Sequence, residues 1–194
     1  MSRPVAVAIT GGIGAGKSEA LAAFARHGAA TVSSDEIVHH LLRREDVMQK
    51  VVERLGSGVL GPDDELDRGA IATAVFNDPD ALQWLEQLLH PLVSAEYLQW
   101  REDLAKLPNP PPVCVTEVPL LYEVGGDTRF DKVVVVTAPA KLRRARSHAA
   151  VDERESRLLP DAEKVRRADF AYTNTGSLEE LDAFVASVMR ELVS

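Results

Sequence analysis

The residues best equipped for chemistry lie near the start of the chain. Gly11-Gly12-Ile13-Gly14-Ala15-Gly16-Lys17-Ser18 matches the pattern G-x-x-x-x-G-K-[ST] in full. Glycines let such a backbone curl until successive N–H groups point at phosphate oxygens. A helix beginning at the end of the loop adds its positive dipole end to the same place. Lys17 would neutralise β- and γ-phosphate charge, and the Ser18 hydroxyl would hold Mg²⁺. The pattern implies nucleotide binding and leaves open what is done with the nucleotide.

A GTP-dependent switch would need D-x-x-G and N-K-x-D segments, and this chain has neither. A small-molecule kinase needs instead a base for the accepting hydroxyl, an acceptor pocket and cations over the transferring group. Asp35 is the candidate base, because ligands of open α/β folds bind at the carboxyl edge of the sheet. It competes with a plainer role as the acid of a helix N-terminus beside Ser33 and Glu36. Lys141, Arg143, Arg144 and Arg146 gather cations that ATP phosphates would neutralise, although a solvated helix face is the commoner fate of such runs. Arg143 and Arg146 stand at i, i+3 and can share a target. Glu117, at a strand end, could hold a metal-bound water. His90, within an apolar helical pattern, reads more simply as a core histidine. Cys114 reads as packing, His39-His40 as surface, and Trp84 and Trp100 as core or interface.

These groups need elements to position them. Val5-Ala6-Val7-Ala8-Ile9-Thr10 reads as a strand buried on both faces, followed by a helix ending near Gly28. Further strands are expected at 30–33, 113–117, 132–137 and 170–172. Ser33-Ser34-Asp35-Glu36 and Ser177-Leu178-Glu179-Glu180 fit the capping box that opens a helix. Residues 70–107 read as helical, punctuated by Asn77-Asp78-Pro79 and Pro91. Residues 56–69 are turn-rich, 108–112 form a loop, and 140–168 read as a charged helical stretch. Strands alternating with helices predict an α/β fold with a parallel sheet.

Composition narrows the partners. The 194 residues carry 22 Lys plus Arg and 30 Asp plus Glu, a formal charge of −8. That balance argues against nucleic-acid backbone binding. One cysteine excludes an internal disulfide framework and a cysteine-only metal cluster. No apolar run approaches the roughly 18 residues of a membrane span, and 5–9 is too short for a signal peptide. The expectation is a cytoplasmic protein, a monomer or weak homo-oligomer, with no nucleic-acid or membrane partner.

The chain resembles the dephospho-CoA kinase family. The resemblance is carried by Thr10-Gly11-Gly12-Ile13-Gly14-Ala15-Gly16-Lys17-Ser18, Leu66-Asp67-Arg68, Val75-Phe76, Leu88-Leu89-His90-Pro91 and Val118-Pro119-Leu120-Leu121-Tyr122-Glu123 in order. Ala168-Asp169 and Asn174-Thr175-Gly176 resemble the family's C-terminal signature. The resemblance implies transfer of the ATP γ-phosphoryl to the ribose 3′-hydroxyl of dephospho-CoA, with Mg²⁺. It implies a P-loop NTPase fold: a five-stranded parallel sheet flanked by helices, a small helical acceptor-binding insertion and a helical lid. The core would be about 1–60, 108–140 and 166–194, the acceptor-binding part about 61–107 and the lid about 141–165. Asp35 becomes the general base and Lys17 its catalytic partner. ATP binding falls to Gly11, Gly12, Gly14, Ala15, Gly16, Lys17, Ser18, Glu19, Arg144, Arg146, Asn174 and Gly176, with Asn174 to Gly176 implied to be an adenine-facing loop. The acceptor side falls to Asp35, Arg68, His90, Glu117 and Leu120.

Two departures stand out. The family usually has D-x-D after its second strand, and this chain has Ser33-Ser34-Asp35. Family lids commonly show R-x-x-x-R followed by an Arg and a Gln. Here Arg144 fits the first position, His148 takes the second, and no glutamine lies between Arg144 and Asp169. A kinase of another nucleotide or small alcohol, or a nucleotide-binding module that has lost turnover, are the alternatives.

Overall fold

A computed structural model describes residues 3–76, 78–146 and 158–194. Five strands form one sheet: β1 (Val5–Thr10), β2 (Ala30–Ser33), β3 (Val113–Glu117), β4 (Lys132–Thr137) and β5 (Phe170–Thr173), in the order β2-β3-β1-β4-β5. Every pairing is parallel. That explains the unbroken apolar character of β1, β3 and β4, which are covered on both faces and have no wet side to alternate toward.

On one face of the sheet lie Phe24 and Ala20 of α1 (Lys17–Arg26). With them are Leu181, Val185 and Val188 of the C-terminal helix (Leu178–Val193). That C-terminal helix begins as its sequence predicts: Ser177 Oγ accepts the Glu180 N–H at 3.2 Å. On the other face Ala8, Val133 and Val135 meet Leu121 and Tyr122 from the turn after β3. Register places Ile9 and Ser33 on either side of Glu117, so the loops after β1, β2 and β3 leave from one edge.

The chain divides into two compact units, 1–33 with 100–194, and 34–99. The second unit begins earlier than the sequence boundary at 61 and ends before 107. It contains α2 (Ser34–Leu41), α3 (Glu45–Leu55), α4 (Arg68–Phe76) and most of α5 (Pro79–Ala105). Asp67 and Asp78 cap α4 and α5 by accepting the N–H groups of Ala70 and Ala81, both at 2.9 Å. Asp78-Pro79 is thus a helix start. Pro91, expected to punctuate, lies inside α5 instead. Its ring forfeits the bond to the Gln87 carbonyl, yet Leu85, Leu89 and Tyr97 are buried on both sides of it and hold one helix. Asn77 lies outside the described residues.

Of the expected 140–168 stretch, two helices are described: α6 (Ala140–Arg146) and α7 (Asp161–Arg167). The C-terminal helix is therefore α8. Residues 147–157 of the expected lid, His148 among them, lie outside the described residues.

Candidate active site

The phosphate loop runs from β1 into α1, and three glycines give it its shape. Gly11, Gly14 and Gly16 have φ of 146°, 71° and 100°, a region where a side chain costs about 1–2 kcal/mol. Space is equally tight. A Cβ on Gly11 would run into the Val136 carbonyl of β4, and one on Gly16 into Asn174 Nδ2. A Cβ on Gly14 would lie 2.8 Å from the Arg143 carbonyl oxygen. A cavity of about 210 Å³ opens among Gly14, Gly16, Lys17, Ser18, Glu19 and Arg146.

The groups around this cavity divide by charge. Lys17 Nζ donates to the Gly12 carbonyl at 3.1 Å, close over the loop. Ser18 Oγ donates to Glu117 Oε2 at 3.2 Å, and Glu117 is buried at the end of β3. These two oxygens suit a hard cation, and Mg²⁺ takes few protein ligands and keeps phosphate and water for the rest. Among the described residues no three His, Cys, Asp or Glu side chains cluster as a metal cage.

Cations come from α6. Arg143 Nη1 would lie 2.7 Å from a Cβ on Gly12, and Arg146 Nη1 donates to the Gly14 carbonyl at 3.5 Å. Arg144 is exposed. The resemblance selected Arg144 and Arg146 for ATP, whereas the cation run and its i, i+3 spacing had already joined Arg143 to Arg146. The loop after β5 also reaches the site: Asn174, buried, donates from Nδ2 to the Ala15 carbonyl at 3.0 Å. Its Oδ1 accepts the Gly176 N–H at 2.9 Å.

The turn after β3 carries Leu120, half-buried, and ends at Glu123. Glu123 Oε1 pairs with the wholly buried Lys164 of α7 at 2.8 Å and accepts the Leu159 N–H at 2.9 Å. Arg167 lies 4.2 Å over the Tyr122 ring and pairs with Asp127 at 3.0 Å. Burial pushes the Tyr122 phenol upward, against the Arg167 charge. Sequence reasoning did not find Lys164.

The remaining predicted residues, Asp35, Arg68 and His90, belong to the second unit. Asp35 is exposed in the first turn of α2, two residues after β2 ends, and Arg68 is exposed at the start of α4. His90 is exposed on α5, so the core reading of this histidine is wrong. Cys114, back in the sheet, is buried, and burial raises its thiol pKa.

Phosphate loop, parallel sheet and cationic helix together define a P-loop kinase. The fold alone is shared with shikimate kinase from Aquifex aeolicus, at a TM-score of 0.53 and 14% identity over 96% of this chain and 97% of that one. The family model for dephospho-CoA kinase matches residues 5–180. A dephospho-CoA kinase from Protochlamydia amoebophila is 38% identical over 96% of this chain and 95% of its own. The solved dephospho-CoA kinase from Campylobacter jejuni superposes with a TM-score of 0.72 and 25% identity, covering 97% of this chain and 96% of that one. The chain belongs to the dephospho-CoA kinase family.

Proposed function

We propose that the family's reaction, ATP-dependent phosphorylation of the ribose 3′-hydroxyl of dephospho-CoA to give coenzyme A and ADP, is divided among the residues above. The observation that carries this is the glycine-shaped loop with Lys17 at its mouth and the Ser18–Glu117 oxygen pair at its edge. Lys17 leaves the Gly12 carbonyl for the β- and γ-phosphates, and Arg143 and Arg146 neutralise charge from the α6 side. Ser18 and Glu117 hold Mg²⁺, which when bound supplies charge neutralisation at the phosphates. Asp35 accepts the proton of the attacking hydroxyl. Its support is its place in the chain, directly after β2, and its exposure. Arg68, His90 and Leu120 serve the acceptor side.

The same reading places the enzyme in the cytoplasm, as a monomer or weak homo-oligomer. Its net charge of −8 disfavours nucleic acid, and no described helix is long and apolar enough to cross a membrane. A coupled ADP-release assay tests the substrate. Turnover with dephospho-CoA should far exceed turnover with nucleoside monophosphates or pantetheine derivatives. Equal rates would point to another acceptor, and ATP binding with no turnover to a module that has lost catalysis.

A further inference from the structure

We infer that Asn174 is a positioning residue for the phosphate loop, acting through the peptide between Ala15 and Gly16, and not a reader of the adenine base. This deepens the ATP-binding part of the function proposed above and rests on it.

Three bonds hold Asn174. Its backbone N–H donates to the Thr137 carbonyl at 2.7 Å, which carries the β4–β5 ladder one residue beyond β5. Its Oδ1 accepts the Gly176 N–H at 2.9 Å, across a turn that Gly176 permits with φ 118°. Its Nδ2 donates to the Ala15 carbonyl at 3.0 Å, and the residue is only 4% exposed. Both ends of the carboxamide are thus engaged inside the protein. A side chain so buried and so bonded has little left with which to recognise a base.

The consequence lies in peptide geometry. A trans peptide is planar, and its C=O and N–H point in opposite directions. Holding the Ala15 carbonyl toward Asn174 turns the Gly16 N–H the other way, toward the cavity that Gly16, Lys17 and Ser18 line. A flipped peptide would present a carbonyl there and repel phosphate. Gly16 also has a second reason to be glycine: Asn174 Nδ2 occupies the place of its Cβ. Its carbonyl accepts the Ala20 N–H at 3.0 Å, so the peptide set by Asn174 adjoins the first turn of α1.

The test separates phosphate from base. Binding of ATP and of inorganic tripolyphosphate is measured by calorimetry for the wild-type protein, Asn174→Ala and Asn174→Asp. The aspartate variant keeps an acceptor for Gly176 but faces the Ala15 carbonyl with a second acceptor. Both variants should weaken both ligands by similar factors, about tenfold or more, and repulsion between the two acceptors should make the loss larger in Asn174→Asp. Weaker ATP binding with unchanged tripolyphosphate would overturn the proposal in favour of base contact. A lower thermal midpoint with both affinities unchanged would overturn it in favour of packing alone. If a variant does not fold, the ¹⁵N-labelled wild-type protein decides. Tripolyphosphate should shift the Gly16 amide strongly, and the Asn174 carboxamide protons should exchange slowly with solvent. An unmoved Gly16 amide, or a carboxamide that exchanges freely, overturns the proposal. Dephospho-CoA is absent from every arm, so failure of the acceptor assignment would not imitate any of these results.

Discussion

At the scale of single residues, Lys17 and Asp35 make separable contributions. Lys17→Met removes a charge expected to strengthen its grip as charge shifts onto the leaving oxygens. kcat should fall by about 10²-fold or more, and ATP affinity should weaken too. Asp35→Asn keeps shape and removes the proposed base. ATP affinity should hold while kcat falls by roughly 10²-fold. Near-wild-type turnover would return Asp35 to the role of helix-cap acid. Ser18 and Glu117 act as a pair across 3.2 Å. Ser18→Ala and Glu117→Gln should each raise the Mg²⁺ concentration needed for half-maximal rate, read from a metal titration at saturating ATP.

At the scale of elements, α6 and α7 carry partners of the phosphate loop and of the turn after β3. Arg143 is half-buried against the phosphate loop while Arg144 is exposed, so Arg143→Ala should raise the KM for ATP more than Arg144→Ala does. Lys164 is wholly buried against Glu123. Lys164→Met leaves that carboxylate inside without its charge partner, a change of about 3 kcal/mol or more. Urea unfolding should register it, and Glu123→Gln added to Lys164→Met should recover part of the loss. β1, β3 and β4 were legible because parallel strands covered on both faces must be apolar throughout, and Ser177 was legible because capping is local. Lys164–Glu123 and Asn174–Ala15 join residues 41 and 159 positions apart, by subtraction of their numbers. No local pattern announces such partners. Pro91 misled for a related reason: its local preference is to break a helix, and burial of Leu85, Leu89 and Tyr97 outweighs it.

At the scale of the whole molecule, charge reads differently once it is located. The formal −8 is an average; cations collect on α6, and several acids are fixed by partners elsewhere. Burial would raise the Asp131 pKa, but the Arg3 hydrogen bond, the Ala6 N–H and the Arg3 charge together hold it below the ordinary carboxylate range. Arg3 Nη2 lies 2.7 Å from Asp131 Oδ1, and Ala6 N donates to Oδ2 at 2.8 Å, tying the start of β1 to the start of β4. Asp182 on α8 is likewise lowered, first by the hydrogen bond from Arg26 and then by His27, both at the end of α1. A carboxylate whose folded pKa is depressed binds fewer protons folded than unfolded. Its contribution is therefore complete above the unfolded value of about 3.9 and is lost as pH falls through the folded value. Asp131→Asn keeps an acceptor for Ala6 and removes the charge. Urea unfolding at pH 7 should show the variant less stable than wild type, and the gap should close as the pH falls below about 4. Asp182→Asn should behave in the same way and add to it, because the two acids draw on different partners. A gap that stayed constant from pH 7 down to about 2.5 would assign the loss to packing and not to these charges.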